Sequence, residues 1–312
     1  MITIGNRLLG QLSGRRRRAW LPLLLAVLLA YPVLGLHLHE HLYFWLKFAG
    51  SPAPVAEAGL PQYRVRVEAQ PVAGVDGNLS GLSYDDDRQQ LWAVINNPPE
   101  LLAMSTAGEV LERYPLHGFQ DVEAVAYLGD DQLLLADERR QELVIVPRPS
   151  GSAPLQRTDY RALTLDLGNP ERHNSGLEGL GYDRTGDRLF VVKEHSPRKL
   201  YEIRGLKASL RGDFSLAVID HDAWIRHKNF VSDLSSVEFD ARSGHLLLLS
   251  DASQLMMELG MDGQLFGYRS LWRASAGLEQ SVPQAEGVAL DGRGNLYLVS
   301  EPNLFYVFSR EG

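Results

Sequence analysis

Oxygen-bearing side chains recur at matched positions along this chain. Glu123, Glu178 and Glu286 each precede a small residue at the head of an apolar run, and Ser80 and Ser235 hold the same place in two further copies. Fifteen or sixteen residues later each copy ends a second apolar run on a polar residue: Asn96, Glu138, Glu194, Asp251 and Glu301. Carboxylates held close together raise one another's pKa or recruit a cation. Carboxylate oxygens combined with amide, hydroxyl and backbone oxygens suit a hard ion such as Ca²⁺. The chain has no cysteine, and no histidine recurs in the repeat, which argues against Zn²⁺ or copper. The candidate metal ligands are therefore Glu123, Glu178, Glu286, Glu138, Glu194, Asp251 and Glu301. A structural role competes with that reading, because an acidic residue at a strand end also caps loops and accepts backbone amides from a neighbouring unit.

Each copy reads as two strands joined by a turn. In the third, Leu177-Glu178-Gly179-Leu180-Gly181-Tyr182-Asp183 leads to Arg188-Leu189-Phe190-Val191-Val192-Lys193-Glu194. Successive copies begin 43, 55, 57 and 51 residues apart, counted from Ser80 through Glu123, Glu178 and Ser235 to Glu286. Such a period, with a few short strands per unit, is that of a β-propeller blade. One blade cannot bury both faces of its sheet alone, whereas blades stacked around an axis can. The first strand of each blade lines the central channel, so the repeated carboxylates are expected to gather near one mouth.

The alternating stretch Tyr63-Arg64-Val65-Arg66-Val67-Glu68-Ala69 belongs to no copy. The last copy has only three strands, ending in Phe305-Tyr306-Val307-Phe308. The stray strand can supply the fourth and so remove two exposed sheet edges. The expectation is an all-β, five-bladed propeller, with a sixth blade in one of the longer intervals as the alternative.

Ahead of it, Arg15-Arg16-Arg17-Arg18 precedes 18 uncharged residues from Ala19 to Leu36. This is close to the length needed to cross a bilayer, and the arginines put the N-terminus in the cytoplasm. No small-x-small cleavage site follows, which favours an uncleaved anchor over a signal peptide. The division expected is a basic cytoplasmic tail over 1–18, a transmembrane anchor over 19–36, a juxtamembrane segment and linker over 37–61, and the propeller over 62–312. The propeller then lies in the periplasm, held at the inner membrane. His37, His39 and His41 mark the membrane exit, with Tyr43, Phe44 and Trp45 as an interfacial aromatic belt and 50–61 as a tether.

The net charge of −8 argues against nucleic-acid binding. The sequence has no G-x-S-x-G elbow, no P-loop and no H-E-x-x-H. His195, beside Glu194, and the pair His173 and Asn174 are placed to approach the channel mouth, although a lone loop histidine is more often solvated. Lys193 and Arg198 read as surface ion-pair partners, and Asp85-Asp86-Asp87 as a solvated acidic turn.

The N-terminal anchor, the motifs Leu177-Glu178-Gly179-Leu180 and Ala285-Glu286-Gly287-Val288, and the acidic ending of the next strand resemble the SdiA-regulated, YjiK-like family of bacterial envelope proteins. The resemblance covers roughly residues 62–312. It implies a five-bladed propeller, distantly similar to NHL-repeat proteins and esterase-like phytases, and it implies Ca²⁺ near the motif glutamates Glu123, Glu178 and Glu286. Ser80 and Ser235 depart from the motif, which excludes a fully symmetric ring of ligands. The family carries no settled activity. Two functions are therefore expected as alternatives: a propeller that binds an unidentified ligand or protein partner, with Ca²⁺ at the channel mouth, or a metal-dependent hydrolase of phosphoesters or lactones using the same carboxylates.

Overall fold

A computed structural model describes residues 20, 24, 26–28, 30, 31, 33–49, 59–151, 153–165, 176–194, 197–212, 214–226 and 231–310. Its strands form five sheets, one per repeat, and no sixth sheet occurs among the described residues. The stray N-terminal strand β1 (Tyr63–Pro71) pairs antiparallel with the last strand of the chain, Tyr63 opposite Arg310 and Pro71 opposite Leu304. It completes the fifth blade and closes the ring.

The first blade holds β2 (Leu79–Asp85), β3 (Gln90–Asn96), β4 (Pro99–Met104) and β5 (Val110–His117). The second holds β6 (Val122–Gly129), β7 (Gln132–Asp137) and β8 (Glu142–Pro147). The short β9 (Leu155–Gln156) then returns to pair parallel with β5, before β10 (Ala162–Thr164) closes the second blade. The third blade is β11 (Leu177–Asp183), β12 (Arg188–Lys193), β13 (Lys199–Arg204) and β14 (Ala217–Asp220). The fourth is β15 (Ser236–Asp240), β16 (His245–Ser250), β17 (Leu255–Leu259) and β18 (Leu265–Ser270). The fifth is β19 (Ala285–Leu290), β20 (Leu296–Ser300) and β21 (Leu304–Arg310), with β1 outside.

The inner strands β2, β6, β11, β15 and β19 touch one another in a ring. The small residue after each repeat position is where they meet. A Cβ on Gly179 would stand 2.7 Å from the Cα of Ser236, and one on Gly287 would stand 2.8 Å from the backbone nitrogen of Leu82. Only a bare backbone fits so close. Between the blades lie five apolar clusters, centred for example on Trp92 and Val125 between blades one and two, and on Leu180 and Leu134 between two and three. Three inner strands end in a buried aspartate, Asp85, Asp183 and Asp240, and a fourth is followed at once by buried Asp291. Each accepts backbone N–H groups of the turn that follows, as Asp85 does from Asp87 and Arg88. Asp85, read from sequence as solvated, is thus fully buried, and it also accepts the Trp92 indole N–H at 3.1 Å. Asp86 faces Arg184 instead.

Ahead of the ring, helix α1 (Leu38–Ala49) packs on the edge of blade four. The aromatic belt expected there is divided. Phe44 is fully buried and stacks on Tyr268 at 5.2 Å, whereas Trp45 points outward. His37 and His41 have separate partners: His37 meets the Ser232 hydroxyl, and His41 meets the Ser253 carbonyl. Leu60 is buried too, its N–H donated to Glu258 and its carbonyl accepting from Arg269, so the expected linker is fixed at this end. Among the described residues, no helix is long and apolar enough to cross a membrane; several positions of the 19–36 run lie outside the described residues.

Candidate metal centre at the acidic mouth

The repeat glutamates owe their direction to β-bulges. In β11 the pairing steps from Leu177–Lys193 to Gly179–Val192, so Glu178 is the extra residue. Glu123 is skipped in the same way between Val122 and Ala124, and Glu286 between Ala285 and Gly287. A bulge re-aims a side chain out of the pleat's alternation. Here it does so in three blades at the same level. In the first blade Ser80 and Gly81 occupy the corresponding irregularity.

The three glutamates and the carboxylates at the second-strand ends share one electrostatic site. Burial raises the Glu178 carboxyl well above the usual range, reinforced in order by Glu138, Glu123, Glu194 and Glu286. Burial pushes Glu286 up to about 9, with Asp251, Glu123, Glu301 and Glu194 adding to it. Glu123 and Glu194 are pushed up to about 7 and Asp251 to about 6, burial again first. Glu138 and Glu301 are raised by burial as well. All seven candidate residues therefore lie in one acidic mouth.

Within it the structural role is visible. Glu138 accepts the backbone N–H of Gly176 at the head of blade three (2.8 Å), and Asp251 accepts that of Ala285 at the head of blade five (3.1 Å). Ser80 and Ser235, the two departures from the motif, donate to next-blade carbonyls at Glu123 (2.8 Å) and Ala285 (2.7 Å). These bonds join neighbouring blades.

One group also has the geometry of a cation site. Asp121, Glu123 and Glu138 each place a carboxylate oxygen within 4.8 Å of the others. Ser80 and Asn96 donate to the two Glu123 oxygens at 2.8 and 2.9 Å and so hold that carboxylate in place. Asp121 is also paired with Arg139 at 2.9 Å. The donor set is all oxygen and suits a hard divalent ion. Sequence reasoning missed Asp121, which lies before β6 and outside the repeat register. It also missed Asp233, a buried carboxylate that contributes to the upward shifts of Glu194 and Asp251 and bonds the Ser250 hydroxyl. Lys193 is buried beside Glu194 rather than on the surface. His173, Asn174 and His195 lie outside the described residues.

A cavity of about 730 Å³ opens beside this mouth, between Leu36 and His37 on one side and Asp251, Trp272 and Gln284 on the other. Toward the opposite ends of the inner strands a cavity of about 500 Å³ is lined by Tyr84, Tyr127, Tyr182, Asp86, Arg184 and Glu238.

Closed ring, bulged inner strands and acidic mouth define a five-bladed propeller with a carboxylate-lined channel. The sequence matches the SdiA-regulated family over residues 56–309, and the chain belongs to that family. Solved structures with a similar fold include a streptogramin B lyase (10% identity, TM-score 0.42, covering 76% of this chain and 66% of the lyase, just under two thirds of its length). Others are a nidogen/laminin complex (14%, TM-score 0.45, 72% of each chain) and luciferin-regenerating enzyme (12%, TM-score 0.46, 80% of each chain).

Proposed function

We propose that this protein is a membrane-anchored periplasmic propeller that binds a ligand or protein partner at its acidic mouth, with Ca²⁺ held by Asp121, Glu123 and Glu138. The observation that carries the reading is the convergence of those three carboxylates beside further half-buried acids. Carboxyls forced together out of water are costly as anions, and a divalent cation offsets that cost. Glu178, Glu286 and Glu194 then serve as outer charges that hold the ion's hydration or contact a bridging ligand. Anchoring at the inner membrane rests on the uncharged run 19–36 behind four arginines.

A hydrolytic reading of the same site is favoured by one observation. Glu194 is pushed up to about 7, where a carboxylate serves as a general base at neutral pH. Bound Ca²⁺ would supply Lewis-acid polarisation of a phosphoester or lactone oxygen.

Calcium titration of the detergent-solubilised full chain, with thermal unfolding followed with and without chelator, tests both. A ligand bound only by the folded state raises its apparent stability. Binding heat and a matching rise in Tm are expected. Both should weaken tenfold or more in Glu123→Gln and Glu138→Gln and stay unchanged in Asp86→Asn at the other mouth. Absence of heat and of any shift in the parent protein would remove the ion. Metal-dependent turnover of a phosphoester or lactone panel, lost in Glu194→Gln, would replace the binding reading by the hydrolytic one.

A further inference from the structure

Helix α1 carries apolar residues on both of its sides. The side on the propeller combines the buried Phe44 with polar groups: Glu40 is 2% exposed and accepts from the Ser232 hydroxyl at 2.7 Å, and His41 reaches the Ser253 carbonyl at 2.8 Å. The apolar residues Leu42, Trp45 and Leu46 face away, 53%, 58% and 60% exposed. Their i, i+3, i+4 spacing makes one stripe. A helix lying between a protein and water carries polar residues on that outer side.

The helix cannot roll to hide the stripe. Phe44 and Phe48 both stack on Tyr268, and His41 stacks on Trp272 at 3.6 Å. The stripe continues an apolar surface already in the chain, since Leu24, Val27, Leu28, Leu34 and Leu36 are all exposed just before it. A turn at Leu36–His37, with His37 at φ 52°, separates that segment from the helix, so the chain changes direction there. Lys47 is the one charged residue on the outward side, and its long stem lets the ammonium reach water from an apolar surface.

We propose that Leu42, Trp45 and Leu46 seat in the headgroup–acyl boundary of the membrane that the 19–36 run enters. The helix then lies along the bilayer surface and presents the outer edge of blade four to it. This rests on reading that run as an anchor. Tryptophan and leucine beside a lysine match the interface chemically.

The absence of cysteine allows a direct test. Leu42→Cys, Leu46→Cys and, as reference, Leu111→Cys on the exposed outer strand β5 each give one nitroxide on the full chain. The labelled chains are reconstituted in phosphatidylethanolamine/phosphatidylglycerol vesicles. At positions 42 and 46, relaxation by oxygen should exceed that by a polar nickel chelate several-fold, with the reverse at 111. Equal behaviour at all three positions, in chain that resists alkaline washing, overturns the interfacial helix and leaves the anchor standing. Chain released by the wash overturns the anchor and this proposal with it. Spin–spin broadening at 42 and 46 that disappears on dilution with unlabelled chain overturns it in favour of a second copy of this protein on the stripe. Using two positions guards against a single variant that folds poorly, and thermal unfolding of each confirms the fold.

Discussion

Glu138 of blade two accepts the backbone N–H of Gly176 at 2.8 Å, and a Cβ at Gly176 would collide with the Glu138 side chain. The two residues occupy one another's space, so the glycine sets where the carboxylate stands. Gly176→Ala should displace Glu138, destabilise the protein by about 1–3 kcal/mol through overpacking and weaken Ca²⁺ binding. Gly292→Ala, where a Cβ meets nothing within 4 Å, is the control. Chemical denaturation and calcium titration of both variants check this; an unchanged affinity in Gly176→Ala would detach Glu138 from the ion.

Stability should fall as pH rises. Glu123 and Glu194 titrate near 7, Asp251 near 6 and Glu286 near 9 in the folded protein, against about 4–4.5 in the unfolded chain. Groups with raised folded values keep protons that the unfolded chain has released. Their contribution is fully present below the unfolded values and is lost as pH rises through the folded ones. Ion-free protein should therefore lose stability between about pH 4.5 and 9, and Glu286→Gln should flatten the upper part of that loss. Calcium should flatten it as well, and its affinity should rise over the same window. Thermal unfolding in chelator from pH 5 to 9 is the measurement, and a variant with the parent's slope would sink the assignment.

Glu178→Gln should separate stability from binding. The side chain is surrounded by Glu138, Glu123, Glu194 and Glu286. A neutral amide of the same shape removes the repulsion, so in chelator at pH 8 the variant should be the more stable and unfold at a higher Tm. It should also bind Ca²⁺ more weakly. A variant less stable than the parent in chelator would show that Glu178 holds the blades together.

Phe44→Ala should release α1 from blade four. Emptying so buried a site costs about 3–5 kcal/mol, here borne by the docking of one helix. Hydrogen exchange should quicken across 38–49 while the blade amides keep their protection. Unchanged protection of the helix would show that His41 and Glu40 suffice to hold it.

The blades were legible because burial of an inner and a second strand in every repeat imposes apolar runs at a fixed separation, and Tyr63–Ala69 could be matched to the gap after Phe308. The Glu-Gly pairs were legible as motifs, but their cause was not. The bulges at Glu123, Glu178 and Glu286 depend on pairing with Asp137, Lys193 and Ser300, which no local pattern encodes. Asp121 joins the carboxylates through the folded path of the loop before β6. Phe44 reads in sequence as part of an interfacial belt and is instead buried, because the apolar spacing of a helix is the same whether a blade edge or a membrane covers it.

The seam between β1 and β21 sets the order in which the molecule can be finished. Tyr63 lies ahead of the five repeats and its partner Arg310 behind them, so the two pair only once the strands between them have come together. Until then the first and fifth blades each keep an open flank, and β1 has nowhere to pair. Every blade between them waits on a contact of the longest possible range, the kind that slows folding and exposes strand edges on the way. Weakening that one pairing would therefore unlatch the whole ring, and with it the fifth blade that carries Glu286 and Glu301 to the acidic mouth.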